Sequence, residues 1–145
     1  MNEDELSKKV FQTMYGNDAF SKWLGIECIR IGPGSCILRM KVRSEMLNGF
    51  GIAHGGITYS LADSALAFAS NSHGRKAVSV ETGISHTTSV KEGDILLATA
   101  EELSLSNKIG VYQIRVATEA GDLVALFKGT VYRTSKEWFL ENKAF

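Results

Sequence analysis

The sequence predicts an α+β fold in which one long central helix packs against an antiparallel sheet, with a further helix at the N-terminus. One observation is an uninterrupted helical stretch from about residue 54 to 71, rich in alanine and free of proline. The other is a series of Val-, Ile- and Leu-rich runs near the C-terminus, separated by short polar turns, which reads as a meander. With 145 residues, the chain is read as one domain spanning 1–145, long enough for one sizeable core. Residues 1–24 form an N-terminal helical extension, and residues 135–145 form a tail.

In chain order, Leu6, Val10, Phe11, Met14 and Tyr15 recur at three-four spacing and predict a helix over 3–24. Gly16-Asn17 breaks or bends it before Phe20, Trp23 and Leu24. Residues 26–30 and 35–42 read as strands around Gly32-Pro33-Gly34. A glycine-bearing loop over 43–53 leads into the long helix, which ends near Gly74. Residues 77–88 alternate in part, and 95–106, 109–118 and 123–133 are strands. Their turns lie at 91–94, 106–108 and 119–122. A short helix near Trp138 closes the chain.

Composition narrows the function. Hydrophobic residues make up 44% and charged residues 22%, and sixteen basic side chains balance sixteen acidic ones. Such a chain has no overall field for nucleic acid or an anionic membrane. The N-terminus, Met-Asn-Glu-Asp-Glu, is acidic where a signal peptide is basic, and no apolar run approaches a membrane span of roughly 20 residues. The expected location is the cytoplasm, with Cys28 and Cys36 as reduced thiols, although a bridge across their hairpin is geometrically conceivable. His73 and His86 lack metal-ligand spacing, so no metal site is expected, and no cofactor is implied. The chain has no Gly-x-Ser-x-Gly elbow and no lysine-bearing phosphate loop.

The chemistry concentrates between Asn48 and Ala69. Small residues at a helix start, His54-Gly55-Gly56, let a ligand oxygen approach unpaired backbone N–H groups. Asp63 lies amid Leu61, Ala62, Ala65, Leu66 and Phe68, where a carboxylate loses solvation. Together they suggest an oxyanion site with a carboxylate base or nucleophile. Gly55 and Asp63 are separated by roughly 12 Å along a helix axis, so one chain cannot bring them to one carbon. A two-fold axis that sets a second helix antiparallel to the first supplies each Gly55 with the other chain's Asp63. The side of the helix carrying Gly56, Tyr59, Ser60, Ala67 and Ser70 is mostly small and permits that approach.

These residues resemble the phenylacetate-pathway acyl-CoA thioesterases of the hot-dog fold. The likeness runs through Asn48-Gly-x-Gly-x-x-His54-Gly55-Gly56 and Ser60-Leu61-Ala62-Asp63-Ser64-Ala65. It continues through Gly93-Asp94, Lys108-Ile109-Gly110-Val111-Tyr112 and Val124 to Gly129, covering about residues 20–134. The resemblance implies a sheet wrapped around the long helix, two chains joined sheet to sheet, and hydrolysis of acyl-CoA at their interface. It also implies assembly as a homotetramer, a dimer of dimers. Gly55 matches the glycine whose N–H polarises the thioester carbonyl, and Asp63 the acid that attacks or activates water. Asn48 and His54 match residues that position the thioester, and Ser64 a hydroxyl that helps hold the acid. The chain departs from the family at Ile84 to Val90, where an Arg-Pro pair is replaced and His86 appears.

Several side chains stay open between two readings. His54 reads as a helix cap or substrate-positioning group in preference to a general base. Lys108, beside Asn107 and Gly110, is either a contact for the nucleotide phosphates of coenzyme A or a solvated turn residue. Tyr59, Phe50 and Phe68 are the expected lining of an apolar acyl pocket suited to aromatic or medium-length chains. A hot-dog hydratase or dehydratase is disfavoured, because no Asp-x-Asn-x-x-His pattern is present. A non-catalytic acyl-CoA-binding module is the other alternative, for which an intact Asn48, Gly55 and Asp63 set is unneeded.

Overall fold

A computed structural model describes residues 1–140. Helix α1 (Glu3–Gly16) starts at Asn2, whose side chain accepts from Glu5 N–H, and carries Glu3, Asp4 and Glu5 at its positive end. The Gly16-Asn17 break yields a separate helix α2 (Ala19–Leu24), capped by Asp18 and ended by Gly25 in the left-handed conformation. Strands β1 (Glu27–Gly32) and β2 (Ser35–Lys41) form a hairpin whose two-residue turn pairs Pro33 with Gly34 at φ 72°. Its register sets Cys28 opposite Leu38 and Cys36 opposite Ile31, so the two thiols are not cross-strand partners, and both are free.

After a 3₁₀ turn at Ser44–Met46 comes the long helix α3 (Gly55–Asn71), then β3 (Arg75–His86), β4 (Ile95–Leu105), β5 (Ile109–Thr118) and β6 (Leu123–Glu137). All six strands form one antiparallel sheet in the order β1-β2-β4-β5-β6-β3. The expected meander is β4-β5-β6. Strand β6 runs four residues past its expected end at Arg133, so residues 134–137 are strand. The helix expected near Trp138 therefore has no place before that residue, and 141–145 lie outside the described residues.

The sheet curls around α3, which touches every strand. Leu61, Ala65, Leu66 and Ala69 meet inward residues of the strands, among them Leu38, Met40, Leu96, Ile114, Phe127 and Val131. Alternation with period two selects these strand residues, and small Ala98 and Ala100 leave room for the helix. Contact is tightest at Gly129, where a side-chain carbon would lie 2.5 Å from Leu66 Cδ2. Gly129→Ala is therefore expected to destabilise the fold by about 1–3 kcal/mol through overpacking. Denaturant unfolding checks this, and an unchanged midpoint would contradict it.

The C-terminal end of α3 is fastened by polar side chains. Glu102 Oε2 accepts from the Tyr112 hydroxyl at 2.7 Å and lies 2.6 Å from His73 Nε2. At the open edge, β3 spans twelve residues with no neighbour on one side, and Val78 and Val80 are 56% and 61% exposed. A long apolar edge of this kind is a template for pairing with another strand. Among the described residues no helix is long and apolar enough to cross a membrane.

Candidate active site

His54 is the N-cap of α3, and its Nδ1 accepts from Gly56 N–H at 2.9 Å. Its backbone carbonyl accepts from Ile57 N–H. The imidazole is thus a cap, with any proton of the neutral ring on Nε2. Gly56 leaves room for it, since a side-chain carbon there would stand 3.0 Å from Nδ1. Capping is satisfied at Gly56 and Ile57, while Gly55 N–H donates to no described residue. A free N–H at the positive end of a seventeen-residue helix is a donor aimed at an incoming oxygen.

The loop before the helix is shaped by Asn48. Its Oδ1 accepts from Phe50 N–H at 2.9 Å and Ile52 N–H at 3.3 Å, and Gly51 takes the left-handed turn. The folded loop and the end of β3 enclose a cleft of ≈ 330 Å³ that includes Asn48, Gly55, Thr58 and His86. His86 stands directly over the helix start, its Nε2 3.4 Å from where a Gly55 side chain would begin. Asn48, Gly55 and His86 are therefore brought together from three separate parts of the chain.

Asp63 is not part of that group. It sits two turns further along α3, about 12 Å along the axis and about a quarter turn around it. There it faces a second hollow of ≈ 380 Å³. Burial pushes its carboxyl above the usual carboxylate range, and no described side chain offsets the effect. The separation anticipated from the sequence is thus present in the fold. Between the two sites, Gly56, Tyr59, Ser60, Asp63 and Ala67 leave an incompletely covered stripe along the helix.

Because the folded chain holds the Asp63 proton more tightly than the unfolded chain, this carboxyl favours the fold below its ordinary pKa of roughly 4. That contribution disappears as pH rises through the raised folded value. Asp63→Asn is accordingly expected to raise Tm at pH 7 and to leave it unchanged near pH 3, measured by thermal unfolding at both pH values. A lower Tm at pH 7 would instead identify a carboxylate held by a structural partner.

The remaining expected site residues divide. Tyr59 hydrogen-bonds Thr82 of β3 and sets its ring edge-on to Phe127, tying the helix to the sheet's open edge. Ser64 does not hold Asp63: adjacent helical residues point about 100° apart, and its hydroxyl pairs with Ser21 of α2 at 2.8 Å. Phe68 is no pocket residue either. It is buried beneath α1, packed against Phe11 and Tyr15, because its side of α3 is the one the N-terminal helix covers. Phe50 is 90% exposed at the loop tip and lines neither the Gly55 cleft nor the Asp63 hollow.

Lys108 and Gly110 lie at the other end of the sheet from His86. Their neighbours on β6 show it: Ala125 pairs with His86 and Val131 with Gly110, about 20 Å apart at roughly 3.3 Å per residue. Within one chain neither reaches the Gly55 cleft. Gly110 has a packing role, since a side-chain carbon there would lie 2.9 Å from Tyr112 and 3.1 Å from Val131. Met14, Val78 and Trp138, which flank the Asp63 hollow, are not among the expected site residues. They carry no motif, and they meet only because α1, β3 and the chain after β6 converge there.

Comparison with known proteins agrees with this fold. The model of the thioesterase superfamily matches residues 50–125, the stretch that holds the helix, Gly55, Asp63 and His86. The acyl-coenzyme A thioesterase PaaI of Escherichia coli is 40% identical over 131 residues, 88% of this chain and 94% of that one. A putative esterase of Archaeoglobus fulgidus is 38% identical over 136 residues, 94% of this chain and 88% of its own. The solved structure of E. coli PaaI superposes with a TM-score of 0.91, covering 94% of this chain and 99% of that one, at 36% identity. With a helix wrapped by a six-stranded antiparallel sheet and the family model matched over more than half of its length, the chain belongs to the thioesterase superfamily and has its hot-dog fold.

Proposed function

We propose that the protein hydrolyses acyl-CoA thioesters at a site shared by two chains. The observation that carries this reading is the unengaged Gly55 N–H in its cleft, with an unpaired, desolvated Asp63 on the same helix but out of reach. The likeness to the E. coli acyl-CoA thioesterase supports the substrate class. Antiparallel pairing of two β3 edges about a two-fold axis joins the sheets and sets the helices side by side through their small-residue stripe. The partner's Asp63 then faces this chain's Gly55.

The thioester carbonyl oxygen accepts from Gly55 N–H, which stabilises the negative charge that develops as the carbon becomes tetrahedral. Asn48 fixes the loop beside it. The partner's Asp63 takes a proton from water as that water attacks the carbon, or attacks directly to give a mixed anhydride that water then cleaves. On either route the C–S bond breaks, the thiolate of coenzyme A leaves and is protonated, and the free acid remains. Coenzyme A is part of the substrate, and no separate cofactor takes part.

The same reading extends to a preference for aromatic or medium-length acyl groups, a dimer of dimers, a cytoplasmic location and a role in phenylacetate degradation. The apolar hollow at Asp63 supports the first. For the second, Leu103 and Leu126 lie exposed on the sheet's outer face, where a second dimer can cover them. A thiol-release assay across acetyl-, hexanoyl- and phenylacetyl-CoA tests the activity. Release from none of them overturns the function, and faster hydrolysis of acetyl-CoA than of both others overturns the preference.

A further inference from the structure

The hollow that receives Asp63 is a pocket with one reactive end. Leu66 of α3, Val78 of β3 and Val131 of β6 form its sides, Met14 of α1 covers it, and Trp138 stands among its walls. The Gly55 cleft carries more hydroxyls, with Thr58, Thr87, Thr88 and Ser89 standing beside Ile52, Ala53 and Val90. A polar cleft suits the amide-bearing arm of coenzyme A, whereas an apolar hollow suits the acyl group.

Trp138 is held from several directions. Its indole N–H donates to Asn71 Oδ1 at 3.0 Å, its backbone N–H donates to Gly74 O at 2.8 Å, and Lys76 Nζ lies 4.8 Å over the ring. Asn71 has no hydrogen bond to spare. Its Oδ1 also accepts from Ala77 N–H, and its Nδ2 donates to the carbonyls of Ala67 and Ala77. An acyl terminus arriving there meets the indole and the aliphatic side chains of Met14, Leu66, Val78 and Val131, with the polar Ser70, Lys76 and Ser79 also in the lining, and Asn71 offers it no free donor. An apolar cavity of roughly 150 Å³ is enough for benzene, so ≈ 380 Å³ admits a ring or a chain of several methylenes.

We propose that Trp138, fixed by Asn71, sets the length of the acyl group that the hollow beside Asp63 accepts. The N-terminal helix contributes Met14 as its cover. The inference rests on the thioesterase reading and adds to it the residues that choose the substrate.

The test measures kcat/KM over straight-chain acyl-CoAs from acetyl to dodecanoyl, together with phenylacetyl-CoA, for wild type, Trp138→Ala, Trp138→Phe and Ala67→Leu. Trp138→Ala should move the preferred length upward by about two carbons or more. The ratio of decanoyl- to hexanoyl-CoA should rise about tenfold, since one methylene in an apolar pocket is worth roughly ten- to two-hundredfold. Trp138→Phe keeps an aromatic wall and should keep the wild-type optimum. Ala67→Leu fills the hollow and should lower hexanoyl and phenylacetyl turnover about tenfold relative to acetyl. If Trp138→Ala does not fold, Trp138→Leu, which also shortens the wall, takes its place, and Ala67→Leu counts once size-exclusion chromatography shows its dimer intact. Wild-type turnover with length profiles unchanged in the folded Trp138→Ala and Ala67→Leu variants overturns the subsite and leaves the thioesterase reading standing. Thiol release by wild type from no member of the series overturns that reading itself.

Discussion

Replacing Asp63 with alanine is expected to lower thioester turnover at least about a hundredfold while the chain still folds and pairs. The size of the loss follows from removing the one carboxylate on the helix stripe that faces the second chain in the proposed dimer, where acid–base groups typically contribute a hundredfold or more. Folding should survive because α3 is already alanine-rich, alanine is the strongest helix former, and no described residue bonds to the Asp63 carboxylate. Asparagine preserves the shape better and serves as the control. Steady-state thiol release and size-exclusion chromatography read the two properties separately. A variant with more than about a tenth of wild-type turnover removes Asp63 from the chemistry, and loss of the dimer in either variant assigns it a structural part.

Asp63 is legible in the amino-acid sequence because local chemistry marks it strongly. A carboxylate inside an apolar helix and a small-residue step at the helix start are both visible as residue types. The gap between them is fixed by helical rise alone. The meander is equally legible, because turn residues and alternation with period two are local signals. Strand order is not: β3 follows α3 in the chain yet pairs with β6, a contact spanning some fifty residues that no local pattern encodes.

Side-chain directions are also hidden from residue order. Phe68 lies five residues past Asp63, where nearness to the motif suggests pocket lining, but that is about 140° round the helix, and the N-terminal helix covers that side of α3 and takes the ring into the core. Ser64 is adjacent in sequence to Asp63 and points to α2 instead. His86 stands out in the sequence only as a departure from a family pattern, and the end of β3 carries it over Gly55. Trp138 has no local signal at all, since its importance depends on Asn71, sixty-seven residues earlier, reaching its indole.

The shared site makes a second strong prediction, in which two inactive variants restore one another. Gly55→Pro deletes the donor N–H, and a loss of about a hundredfold or more is expected from removing such a donor. The fold should accept it, because Gly55 is the first residue of α3, where proline's fixed φ suits the helix. The residue before it, His54, already has the extended conformation that proline requires, with φ −61° and ψ 137°. Neither homodimer has a working site: one lacks both donors and the other lacks both acids. In a mixed dimer one interface site is doubly defective, while the other sets wild-type Gly55 against wild-type Asp63. Co-expression with two affinity tags, followed by tandem purification, isolates that species, and its expected turnover per dimer is about half that of wild type by this count of sites. Circular dichroism and size-exclusion must first show that Gly55→Pro folds and pairs. If the purified mixed dimer is as inactive as its parents, the two groups do not act on one carbon, and the shared site is wrong.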